Sequence, residues 1–176
     1  TDTMVSGVQR RFSVFIVDDC PLLCEALTGL LNREHDFQVL GSSTTSDDGF
    51  RRIMDLKPDL VLCDVELPGR GAFTMAEEVL ARLPGLTLVF FTDYVTDVFL
   101  DQTMRVNARG YLTKGEAPEV IIEGLRKAKQ LHVPAGRDVE LAGDTGRAGA
   151  PRRGVRIERT QRALGNRTAS RDLNFI

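Results

Sequence analysis

No stretch of this 176-residue chain approaches the roughly 18–20 consecutive apolar residues that a membrane-crossing helix requires. The opening segment Thr1–Arg11 lacks the apolar centre of a secretory signal. Neither a membrane span nor export is expected, and the chain reads as cytoplasmic. Cysteine is scarce, with three residues, an odd number, and Cys63 lies inside a predicted buried strand. That usage argues against a disulfide framework. Cys20 and Cys24 stand four apart on a predicted helix, a spacing compatible with a metal pair. No second pair of ligands accompanies them, and His35 and His132 lie in other contexts, so reduced structural thiols are expected.

Lysine is missing from the end of the chain. Residues 1–130 carry 14 Lys/Arg against 20 Asp/Glu, a net of −6; residues 131–176 carry 9 Arg, no Lys and 5 acids, a net of +4, with six Gly. The acidic body is unlike a nucleic-acid surface. The Arg/Gly-rich tail reads either as a solvated, disordered segment or as a contact for nucleic acid or a partner. Aliphatic residues are sparse there, and only Val155–Leu164 suits an Arg-rich helix. Length and an apolar content of 42% suffice for one domain with a real core plus something extra.

Strand and helix signals alternate from residue 12 to residue 130. Short apolar runs at Phe12–Val17, Phe37–Gly41, Leu60–Cys63, Leu86–Phe91 and Gly110–Leu112 predict five buried strands. Helical spacing predicts helices over Pro21–Arg33, a segment after the N-cap candidate Ser46 that Pro58 stops, Ala72–Arg82, about Val95–Val106, and Pro118–Gln130. Five such units predict an α/β fold: a flavodoxin-like, doubly wound, five-stranded parallel sheet in the order 2-1-3-4-5, with helices on both faces. The tail 131–176 is expected to be largely irregular.

Four strands end in chemistry. Asp18-Asp19, Asp64, Thr92 and Lys114 each close an apolar run, and ligands of open parallel sheets sit outside the carboxyl ends of the strands. Taken singly, the acidic pair reads equally well as a turn and Tyr111 as a core aromatic, while a solvated strand end for Asp64, a strand cap for Thr92 and a surface lysine for Lys114 are the weaker alternatives. Together, three carboxylates, a hydroxyl and an ammonium suit a hard cation and a phosphoryl group. Mg²⁺ takes one or two protein carboxylates and keeps waters. Asp19 and Asp64 fit as direct ligands, Asp18 through water, and a backbone carbonyl near Glu66 would complete the set. A carboxylate can accept a phosphoryl group, and Asp64, at the tip of the central strand, is the candidate. Lys114 would neutralise phosphoryl oxygens as a point charge and Thr92 would donate its hydroxyl.

Residues 12–130, about two-thirds of the chain, resemble the receiver domain of two-component response regulators. The resemblance rests on Asp18-Asp19, on Asp64 with its Leu67-Pro68-Gly69 loop, on Thr92, and on Tyr111-Leu112-Thr113-Lys114; Val106–Gly115 is similar to the NarL/LuxR-type branch. It implies a phosphorelay component and not an enzyme. The expected cofactor is Mg²⁺. The expected partner is a sensor histidine kinase or a small phosphodonor that phosphorylates Asp64. Thr92 and Tyr111 would act as the switch, changing the face formed by the fourth and fifth helices, which is also the expected site of homodimerisation. The output would be a partner or transcription. Where the family has a small residue, this chain has Asp93, and Glu66 and Tyr94 occupy positions that tune dephosphorylation. Regulators of this branch carry a C-terminal helix-turn-helix domain whose apolar pattern is not found in residues 131–176, so a truncated, frameshifted or diverged remnant is expected there.

Two other functions are compatible with the sequence. A phosphorylation-independent, receiver-like scaffold is suggested by Asp93 beside the pocket. A Mg²⁺-dependent phosphohydrolase with an aspartyl nucleophile would want its second Asp two residues after the first, whereas Asp18 and Asp19 are adjacent, and no cap domain is visible.

Overall fold

The computed structural model describes residues 10–130 and the backbone of residues 174–175. The element order is β1 (Phe12–Val17), α1 (Pro21–Asn32), β2 (Phe37–Ser43), α2 (Ser46–Leu56), β3 (Leu60–Asp64), α3 (Ala72–Arg82), β4 (Thr87–Thr92), α4 (Asp97–Arg105), β5 (Gly110–Thr113), α5 (Pro118–Gln130) and β6 (Asn174–Phe175). The first five strands are parallel, in the order β2-β1-β3-β4-β5, as the alternation predicted. The helices α3 and α5 have the predicted bounds. Strands β2, β3, β4 and β5 extend one or two residues further at their carboxyl ends than their apolar runs, because ladder pairing continues into polar residues that no hydropathy pattern marks.

Helix α1 ends at Asn32 instead of Arg33, α4 is shorter at both ends than the predicted Val95–Val106, and β4 begins at Thr87 instead of Leu86; two larger differences concern the tail and the cap of α2. The sheet has a sixth strand, β6, which pairs antiparallel with the outer edge of β5, Gly110 opposite Phe175 and Tyr111 opposite Asn174. Two residues are too short a run for periodicity to reveal. Ser46 is not the N-cap of α2. Thr45 is, its hydroxyl accepting from the Asp48 N–H at 3.2 Å, while Ser46 begins the helix and is fully buried. The rest of the tail, including the candidate helix Val155–Leu164, lies outside the described residues.

Side-chain alternation along the central strands builds one core on each face of the sheet. Val14 and Ile16 of β1, Leu60 and Leu62 of β3, and Val89 and Phe91 of β4 pack toward Leu27, Leu31, Ile121 and Leu125 of α1 and α5. Phe15, Val17, Val61, Cys63, Leu88 and Phe90 face Ile53, Met75, Val79 and Phe99 of α2, α3 and α4. Every residue of β3 and β4 is buried, which fits central parallel strands covered on both faces.

At the end of the sheet opposite the strand tips, Arg126 of α5 joins three carboxylates. Its guanidinium lies 2.7 Å from both Glu34 and Asp36 and 2.6 Å from Glu123. Its hydrogen bonds hold the Asp36 carboxyl below the usual carboxylate range, against the opposing effect of burial. Asp36 therefore contributes stability at pH values above its unfolded-state pKa of about 4, and that contribution is lost as pH falls through the lower folded-state value. Arg126→Ala is expected to cost about 1–2 kcal/mol at pH 7. In urea titrations the gap between the two proteins should hold down to about pH 4 and narrow progressively below it as the folded Asp36 takes up its proton, and a gap that did not narrow on acidification would contradict the assignment.

Candidate functional site

The sheet brings Asp18, Asp64, Thr92 and Lys114 together because β1, β3, β4 and β5 run parallel and end at the same level. The register sets Val17 beside Cys63, Asp64 beside Phe91 and Thr92 beside Thr113, so each next residue emerges at the sheet's rim. Asp18, Asp64 and Thr92 are buried, and Asp19 is exposed. Ligand atoms of Asp18, Asp19 and Asp64 lie within 4.8 Å of one another.

Lys114 bridges the two buried acids, its Nζ 2.8 Å from Asp18 Oδ2 and 3.2 Å from Asp64 Oδ2. The other oxygens are taken up by the loops: Asp18 Oδ1 accepts from the Cys20 N–H at 2.9 Å and Asp64 Oδ1 from the Glu66 N–H at 3.2 Å. Burial first, and the neighbouring Asp18 charge second, push the Asp64 carboxyl up to about 6, against the pull of Lys114. Burial alone would lower the Lys114 ammonium, but the two carboxylates outweigh it and hold it above its usual value.

Buried Asp18 Oδ2 has no aligned hydrogen-bond donor among the described residues; the ammonium meets it as an ion pair. A buried oxygen met only by an ammonium, beside two more carboxylates, fits a divalent ion with a preference for hard oxygen ligands. The second acidic group, Glu34-His35-Asp36, has both carboxylates engaged by Arg126. All three thiols are free, and neither ligand group contains a cysteine. Burial raises the Cys24 and Cys63 thiols, as suits structural residues.

Thr92 and Tyr111 do not touch the acids. The Thr92 hydroxyl donates to the Tyr94 carbonyl at 2.9 Å and accepts from the Tyr94 N–H at 3.2 Å, which closes a turn at the start of the loop leading to α4. The half-buried Tyr111 ring meets Phe99 of α4 edge-on, 5.3 Å between centroids. Phe99 in turn packs on Phe73 and Phe90, so one aromatic chain runs from β5 across α4 to α3. Asp93 and Tyr94 are exposed beside the pocket. Periodicity did not reveal the part played by Ser46, whose side chain reaches the loop after Asp64: three consecutive hydroxyl residues, Thr44 to Ser46, look alike as caps, and tertiary contact decides between them.

Residues 14–126 match the family model of the response regulator receiver domain. The chain belongs to that family. Among curated relatives, the receiver is similar to the transcriptional regulatory protein DesR of Bacillus subtilis, 29% identical over 69% of this chain and 62% of that protein. The chain is also similar to a protein-glutamate methylesterase/protein-glutamine glutaminase of Geobacter sulfurreducens, 30% identical over 91% of this chain and 42% of that protein. The chain thus spans less than two thirds of either relative, and the two names differ in output. Among solved structures, the receiver fold is shared with the signal receiver domain of NarL from Mycobacterium tuberculosis, at a TM-score of 0.65 and 20% identity over 69% of this chain and 98% of that one. Receiver domains interact with histidine kinases and are generally not enzymes. No helix among the described residues is long and apolar enough to cross a membrane.

Proposed function

We propose that this receiver, residues 12–130, is the phosphoacceptor module of a cytoplasmic two-component system, with Asp64 as the acceptor. The observation that carries the reading is the Lys114 ammonium set between the buried Asp18 and Asp64 carboxylates at the rim of the sheet. An Asp64 carboxylate oxygen attacks phosphorus, and the bond from phosphorus to the donor breaks. The leaving group is an imidazole from a histidine kinase, or acetate from acetyl phosphate. Asp18, Asp19, Asp64 and the Glu66 carbonyl would hold Mg²⁺, which when bound neutralises charge on the phosphoryl oxygens. Lys114 then turns from Asp64 toward the new phosphoryl group, retaining its contact with Asp18.

The switch is a redistribution of hydrogen bonds. A phosphoryl oxygen competes with the Tyr94 backbone for the Thr92 hydroxyl, so the turn that starts the α4 loop opens. Tyr111, in edge contact with Phe99, is the side chain placed to sense that movement. The face of α4 carries exposed Val98 and Met104, and with α5 it supplies the surface for homodimerisation or output. Transcription is the output favoured by the relative DesR.

The test is incubation with acetyl phosphate and Mg²⁺, read by intact mass. Wild type should gain one phosphoryl group, and Asp64→Asn should gain none. A gain that persisted in Asp64→Asn would remove the acceptor assignment. The scaffold reading draws on the Thr92 turn, already closed on Tyr94, and on exposed Asp93. Absence of any gain in a folded wild-type protein, with gain restored in Asp93→Ala, would favour it.

A further inference from the structure

We propose that Ser46 is a positioning residue for the cation site, acting through the loop that follows Asp64; this rests on the phosphoacceptor reading above. The loop, residues 65–71, contains Glu66, whose carbonyl is assigned to the ion. It is tethered on the acceptor's side by the Glu66 N–H on Asp64 Oδ1 at 3.2 Å. On the far side it is clipped to the start of α2. The Ser46 hydroxyl donates to the Pro68 carbonyl at 2.9 Å and accepts from the Gly71 N–H at 3.1 Å, while the Ser46 N–H donates to the same Pro68 carbonyl at 3.0 Å.

Ser46 is 0% exposed and does not cap its own helix, because Thr45 does so. The buried hydroxyl is therefore committed to the loop. The approach is close: Gly69 has φ +98°, and a Cβ there would stand 2.7 Å from Ser46 Oγ and 2.5 Å from Asp47 Oδ2. Arg70 closes the outside of the clip, with Nε 2.8 Å from Asp47, Nη1 2.6 Å from Glu78, and its guanidinium 4.5 Å over the Phe50 ring. Glu66 thus sits in a short stretch fixed at both ends. Magnesium demands near-ideal octahedral geometry, so a carbonyl ligand binds better when its loop is already held in place before the ion arrives.

The experiment titrates the 176-residue chain with Mg²⁺ alone by calorimetry, using wild type, Ser46→Ala, Gly69→Ala, Asp64→Asn and Arg126→Ala. Loss of a group that orients metal ligands typically weakens affinity 10–100-fold. Ser46→Ala should sit at the lower end, about tenfold weaker, with faster hydrogen exchange at the Gly71 amide before metal is added. Gly69→Ala should weaken binding comparably by pushing the loop from the other side with Ser46 intact. Arg126→Ala, destabilised far from the site, should bind like wild type; equal weakening there would reduce Ser46 to a stability effect and overturn the inference. Wild-type affinity in Ser46→Ala, or in Gly69→Ala should Ser46→Ala not fold, would overturn it while Asp64→Asn still lost binding and the site reading stood. No Mg²⁺ binding by wild type would instead remove the phosphoacceptor reading, and the inference with it.

Discussion

In metal-free buffer at pH 7.5, Asp64→Asn is expected to be more stable than wild type by about 1–3 kcal/mol. Folding buries Asp64 beside Asp18, which raises its carboxyl from 3.8 to about 6. The folded state thus binds a proton more readily than the unfolded state. Stability therefore rises as pH falls, and the full penalty applies above about pH 6, where both states are ionised. At 1.36 kcal/mol per pKa unit that penalty is about 3 kcal/mol, with the attraction of Lys114 already included in the shift. The difference should shrink below pH 6 and vanish near pH 4. Urea titrations in chelator across this range test it; an Asn variant less stable at pH 7.5, or a pH-independent gap, would refute the account. The acceptor carboxylate would then be a group held at a cost in stability for the sake of its chemistry.

Lys114→Met is expected to cost about 3 kcal/mol in the same metal-free buffer. Lys114 is the cation between Asp18 Oδ2 and Asp64 Oδ2, and its side chain is only 14% exposed. Its removal leaves two buried carboxylates facing each other, with Asp18 Oδ2 lacking an aligned donor. The loss should be greatest at pH 8 and diminish toward pH 5 as Asp64 takes up a proton. Added Mg²⁺ should restore more stability to Lys114→Met than to wild type, because a bound cation replaces the missing ammonium. The Lys114→Met/Asp64→Asn pair should lose less than Lys114→Met alone, since the like-charge contact is gone. Equal Mg²⁺ responses in the two proteins would show that Lys114 does not serve as the counter-ion.

The residues of the candidate site were legible by type and by their place at the strand ends. Asp18-Asp19, Asp64, Thr92 and Lys114 each follow a buried apolar run, and parallel strands deliver their carboxyl ends to one rim whatever their separation in sequence. Less legible was the state of each group. That Lys114 spans two carboxylates, that burial raises Asp64, and that Thr92 is closed on the Tyr94 backbone depend on distances of a few ångströms that no spacing encodes.

By itself the sequence determined the order of elements from β1 to α5, the parallel sheet from β1 to β5 and the four rim positions, because hydrophobic periodicity and turn chemistry are local and the central strands bury both faces. Tertiary structure alone decided that Thr45 caps α2 while Ser46 clips the loop after Asp64, and that β6 pairs with the free edge of β5. It also decided that Arg126 gathers Glu34 and Asp36 from ninety residues away in the chain. These are choices among chemically similar partners, made by proximity once the sheet has formed.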